Sequence, residues 1–162
     1  MTHSITARTL FADLQDKLKL HWLGGAADDS LPAIAPGPLT ARPAMVGFLN
    51  LIHPNRVQVL GREEIDFLEG LEEAEKSATV SRMLNGQPLA IVVGDGLDSP
   101  PLVVDAVTNS STALICSELS ANELVNYFQY HIAQSLAQSE TLHGVFMEVF
   151  TLGVLITGDA GS

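Results

Sequence analysis

The sequence predicts an α/β fold, a small and mostly parallel sheet flanked by helices, followed by a β-hairpin. Three observations carry this expectation. Residues 89–93 (Leu-Ala-Ile-Val-Val) and 113–116 (Ala-Leu-Ile-Cys) are short apolar runs separated by one helix-length segment, the spacing of a βαβ unit with a parallel pair. Ser120-Ala121-Asn122-Glu123 is a capping box, and Leu124, Val125, Phe128, Ile132 and Leu136 continue from it as one helical stripe. Val57, Val59 and Leu60 make a further strand that ends at Gly61.

Taken in order, residues 5–18 read as a helix, because Leu10, Phe11, Leu14 and Leu18 recur at helical spacing. Residues 19–23 suit a short strand stopped by Gly24-Gly25. Residues 24–40 hold Pro32, Pro36, Pro38 and Gly37, with Pro43 close by, which marks an internal loop region. The apolar run at 44–52 ends at the turn signal His53-Pro54-Asn55. Residues 62–84 suit two helices broken near Gly70. Gly94-Asp95-Gly96 follows the strand at 89–93, and Ser99-Pro100 then offers an N-cap and a first-turn proline for a helix to about Asn109. After the polar stretch 137–140, residues 143–150 and 154–157 are strand-like. Thr151-Leu152-Gly153 between them is short enough for a hairpin connection.

Composition narrows the partners. Eight Lys+Arg stand against 19 Asp+Glu, a formal charge of −11, which repels nucleic acid and anionic membrane surfaces. Much of the acid lies in one stretch, Glu63, Glu64, Asp66, Glu69, Glu72, Glu73 and Glu75, as expected of a solvated helix face, with a docking surface for a basic partner as the lesser alternative. A single cysteine, Cys116, excludes an intrachain disulfide and reads as a buried small apolar residue, which suits a reducing cytoplasm. His3, His21, His53 and His131 lack metal-ligand spacing. The opening MTHSITARTLF has no apolar signal core, and no run reaches the ~18 residues needed to span a bilayer. The expectation is a cytoplasmic protein that binds neither membrane nor nucleic acid.

Two places suggest ligand chemistry. Gly94-Asp95-Gly96 would lie at the carboxyl end of a parallel pair, where α/β folds bind ligands, although it lacks a dinucleotide fingerprint. Arg56 and Arg62 flank a strand and suit either an anion or solvent. The stronger motif is at the end of the sequence. Gly158 follows the apolar strand 154–157, and Asp159, Ala160, Gly161 and Ser162 come after it. These match the first five positions of G-x-x-x-x-G-K-[ST], the phosphate-binding loop that joins a strand to a helix.

The tract from His143 to Gly161, HGVFMEVFTLGVLITGDAG, resembles the start of the catalytic domain of bacterial HPr kinase/phosphorylases. In that family a histidine-glycine strand leads into a Gly-Val-Leu-Ile-Thr-Gly strand and then the P-loop. Weaker similarity covers Arg42-Pro43, residues 56–61 with Glu64, and the strand-helix order across 89–136. The resemblance implies an N-terminal domain over 1–138, similar to that of murein precursor ligases, and the beginning of a kinase domain over 139–162. It implies ATP and Mg²⁺ as cofactors of the whole enzyme, HPr as its protein substrate, and assembly into hexamers. By position, His143 matches an active-site histidine, and Gly158, Asp159, Ala160, Gly161 and Ser162 match the front of the ATP-binding loop. The loop lysine, the Mg²⁺-binding serine, the catalytic aspartate and the metal-binding glutamate have no counterparts. A polypeptide of these 162 residues is therefore expected to be inactive and to bind neither ATP nor metal. Two other readings stand beside this one. One is a stand-alone metabolite or nucleotide sensor using residues 89–116, and the other is a non-binding assembly domain.

Overall fold

The computed structural model describes residues 4–25, 45–52, 55–136, 144–149 and 152–157. Helix α1 (Ala7–Leu14) starts where Thr6 and Thr9 exchange hydrogen bonds: Thr9 N–H donates to Thr6 Oγ1 at 3.1 Å and Thr6 N–H to Thr9 Oγ1 at 2.9 Å. It is shorter than the expected 5–18. The chain turns on through Leu18, then closes with Leu20 N–H donating to the Gln15 carbonyl at 2.9 Å and Lys19 at φ +49°. That is a Schellman closure with lysine in the position glycine usually fills. It uses Lys19 and Leu20, so strand β1 (His21–Gly24) begins later than the apolar pattern suggests.

Strand β2 (Val46–Phe48) is the paired part of the 44–52 run, and β3 (Val57–Leu60) follows. Helices α2 (Arg62–Glu69) and α3 (Glu73–Asn85) break at Gly70, as expected. Strand β4 (Ala90–Val93) leads to α4 (Pro101–Thr108), whose N-cap is Pro100 and not Ser99. A residue before proline is pushed to extended backbone. Pro100 sits at ψ 135°, and the helix opens at Pro101. Strand β5 (Ala113–Cys116) and α5 (Ala121–Leu136) match expectation, and α5 opens with the Ser120–Glu123 box, Ser120 N–H donating to Glu123 Oε2 at 3.1 Å. Strands β6 (Gly144–Val149) and β7 (Leu152–Thr157) form an antiparallel hairpin, with β7 two residues longer than expected at its start.

The five-stranded sheet has the order β1-β5-β4-β3-β2, with β2 to β5 parallel and only β1 antiparallel. The parallel strands are in phase, Val57 beside Ala90 and Ala90 beside Ala113. Alternation therefore sends whole rows of side chains to one face or the other. Val57, Val59, Ala90, Val92, Ala113 and Ile115 pack with α1 and α5. Leu60, Ile91, Val93 and Leu114 pack with α2, α3 and α4. Both faces are covered, which is why these strands read as continuous apolar runs. Phe128 fills the α5 side and is completely buried. Gln58 points into the α2–α4 side from the middle of the sheet, fully buried, with neither amide atom hydrogen-bonded among the described residues. No helix among the described residues is long and apolar enough to cross a membrane.

Candidate functional site

Chain order fixes what stands at the carboxyl edge of the sheet. The chain leaves β3 into α2 on one face and leaves β5 into α5 on the other, so two helix N-termini meet there, with the β4 tip between them. The glycines allow a close approach. A Cβ on Gly61 would stand 2.8 Å from Ala121 Cβ, and one on Gly94 would stand 2.9 Å from Leu124 Cδ1.

The β4 tip carries Asp95, at φ +60°, followed by Gly96 at φ +65°. This left-handed pair is held by Asp95 N–H donating to the Leu119 carbonyl at 2.8 Å and Gly96 N–H to the Ser117 carbonyl at 3.1 Å. It turns the carboxylate back between the helices. Asp95 Oδ2 accepts from Arg62 N–H at 2.9 Å, and Oδ1 accepts from Ala121 N–H at 3.0 Å. One side chain thus caps both α2 and α5. Glu64 Oε2 accepts from Gly61 N–H at 2.8 Å, and Ser120 Oγ accepts from Glu123 N–H at 3.3 Å. Four N–H groups at these helix starts, those of Gly61, Arg62, Ala121 and Glu123, are thus bonded to the chain's own side-chain oxygens, where other α/β folds offer such donors to a phosphate.

The cavity at this edge has a volume of about 440 Å³ and is walled by Gly61, Arg62, Glu63, Glu64, Asp66, Asp95 and Ala121 among others. Four carboxylates against one guanidinium repel a phosphorylated ligand and favour a cationic one. Arg56 lies at the opposite end of β3 from Arg62, and an extended strand of that length separates them by roughly 15–20 Å. The two arginines therefore do not converge on one anion. His131 Nε2 stands 3.4 Å from Asp13 Oδ2, and no group of three or more metal-ligating side chains occurs among the described residues.

Cys116 is half-buried at the end of β5, not fully buried as its neighbours suggested, and burial first, then Asp98, pushes its thiol pKa up. Most of the acidic stretch is exposed, with Glu64 half-buried, and Lys76 reaches Glu69 at 3.2 Å and Glu73 at 3.6 Å to tie α2 to α3. Glu69 above all holds the Lys76 pKa up.

The P-loop residues Gly158, Asp159, Ala160, Gly161 and Ser162, and His143, lie outside the described residues. The hairpin pairs Gly144 with Thr157, which are the residues that follow His143 and precede Gly158.

Sequence reasoning missed the double cap made by Asp95. Its signal was present: an aspartate between two glycines after a strand, with two helices due to start at neighbouring strand tips.

The family model for the HPr serine kinase N terminus matches residues 5–132. HPr kinase/phosphorylases of Xanthomonas euvesicatoria pv. vesicatoria (strain 85-10) and Xanthomonas campestris pv. campestris (strain B100) are each 41% identical to this chain over 162 residues. The alignment covers 100% of this chain and 51% of either relative. The chain thus spans about half the length of the curated relatives it matches. It belongs to the HPr serine kinase N-terminal domain family.

Proposed function

We propose that this chain supplies the N-terminal domain and the first kinase strands of an HPr kinase/phosphorylase, an enzyme that phosphorylates a serine of HPr with ATP and Mg²⁺. In this reading, residues 1–138 are the N-terminal domain and 139–162 begin the kinase domain. The observation that carries it is 41% identity running the full length of the chain, including the tract that leads into the P-loop motif. The hairpin supports it too, because its pairing closes at Gly144 and Thr157, next in sequence to His143 and Gly158.

The chemistry assigned to each part follows. Gly158 to Ser162 would contribute backbone N–H groups to the phosphates, and His143 an active-site side chain. A P-loop also needs a lysine at the β/γ-phosphates, a hydroxyl on Mg²⁺ and the positive end of the next helix. None of these is among the 162 residues. Phosphoryl transfer rests on charge neutralisation and positioning, so a polypeptide of these residues alone should transfer nothing. The five-stranded domain is then a regulatory or scaffolding part, and the enzyme works as an oligomer in the cytoplasm.

A nucleotide-sensing role for residues 89–116 is disfavoured because the N–H groups of Gly94, Asp95 and Gly96 already donate to the carbonyls of Leu60, Leu119 and Ser117, and because Glu63, Glu64, Asp66 and Asp95 would repel a phosphate. The test is direct. The codons after Ser162 should read Gly-Lys-Ser or Gly-Lys-Thr, and the whole gene product should label HPr on serine. Any other three residues, or no labelling, refutes the assignment.

A further inference from the structure

Beside the carboxylate cavity lies a second depression of about 480 Å³, formed by Leu49, Leu51 and Ile52 on one bank and Phe67 of α2 on the other. The two share Glu63 and Glu64 as a common wall, so they make one surface, apolar at one end and acidic at the other. Ile52 is 83% exposed and Phe67 51%. Large apolar side chains exposed along one depression mark an interaction surface, and a rim of one charge sets which partner fits.

We propose that this surface docks a basic segment of another protein, with an apolar side chain between Ile52 and Phe67 and a lysine or arginine against Glu63, Asp66 and Asp95. The charge pattern selects this occupant. A second copy docking face to face would press the same carboxylates together, in a chain of formal charge −11. Within these 162 residues, the two longest segments outside the five-stranded sheet and its helices have the wrong sign. Residues 137–162 contain Glu140, Glu148 and Asp159 and no Lys or Arg, and residues 26–44 bring Asp28 and Asp29 against Arg42 alone. The carboxylates of the acidic end, two of whose nearby N–H donors are already taken by Asp95, repel a phosphorylated ligand.

The experiment titrates the isotope-labelled 162-residue chain with acetyl-KLLKKLLKKL-amide and follows backbone amides by NMR. Controls are the same peptide with every Lys changed to Glu, or every Leu to Ser. The docking surface predicts saturable shifts confined to residues 49–52 and 61–67, and affinity that falls with salt. Both control peptides should bind about tenfold or more weakly, as should Phe67→Ser and Glu63→Lys, whose exposed side chains leave thermal unfolding near the parent value. Shifts spread along α3 and the rest of the acidic surface would overturn the proposal. So would unchanged binding by both variants. A dimer in light scattering that Phe67→Ser abolishes would identify a second copy as the occupant and refute it. New shifts at 49–52 and 61–67 on Arg42→Glu, without peptide, would do the same in favour of the chain's own loop.

Discussion

Replacing Asp95 by asparagine is the sharpest perturbation of the sheet edge. Asparagine keeps the size of the side chain and tolerates φ +60°, so backbone strain does not confuse the result. It keeps one acceptor oxygen and turns an NH₂ group toward the other helix. One of the two caps, to Arg62 N–H at 2.9 Å or Ala121 N–H at 3.0 Å, must fail. A lost cap costs about 1 kcal/mol. The negative charge between two helix N-termini is worth a further ~0.3–1 kcal/mol for each. The sum is about 2 kcal/mol. Urea unfolding of the 162-residue chain, with a slope of about 2 kcal/mol/M, should therefore show the midpoint fall by about 1 M with the slope unchanged. Asp95→Ala loses both caps and also strains at positive φ, and should lose about 3–4 kcal/mol. A midpoint for Asp95→Asn within about 0.2 M of the parent would show that the double cap contributes little, and the reading of this edge would fall.

Other predictions follow from single side chains. Gln58→Met should stabilise the chain by about 1–2 kcal/mol in the same urea assay, because it removes a fully buried amide with no partner among the described residues; a loss of stability would mean that the amide is satisfied. Lys19→Gly should add about 0.5–1 kcal/mol by relieving φ +49°, and the exposed 3.9 Å contact from Lys19 to Glu118 offsets little of that. Burial raises the Cys116 pKa, so iodoacetamide at about pH 8 should alkylate the native thiol more slowly than the urea-unfolded one, and equal rates would contradict it. The sign for stability follows. Above the ordinary thiol value the unfolded chain loses its proton first, so Cys116 can only lower stability as pH rises through that range.

The parallel sheet was legible in the sequence because both of its faces are buried. Residues 90–93 and 113–115 have no solvent side, and an uninterrupted apolar run is the mark of such strands. The α5 helix was legible from its capping box and stripe, both of which are local. What escaped was decided by contacts distant in sequence or by competing turn chemistry. Asp95 meets Arg62 and Ala121 across separations of 33 and 26 residues, and no window of sequence holds all three. The strand at Lys19 was pre-empted by a Schellman closure that lysine rarely makes. The N-cap moved from Ser99 to Pro100 because a proline follows each of them, and the second one governs where helical backbone can start. The apolar groove was hidden for the opposite reason. Leu49, Leu51 and Ile52 belong to the apolar run at 44–52, yet strand pairing stops at Phe48, which leaves Leu49 and Leu51 partly buried against the α2–α4 core and Ile52 exposed.

The account stands or falls on a comparison of phosphate transfer. The 162-residue polypeptide and the complete gene product would each be incubated with HPr, Mg²⁺ and γ-labelled ATP, and serine-bound label counted. Label on HPr from the complete product alone is the result the assignment requires. Label from the 162-residue polypeptide, or none from either, would contradict it.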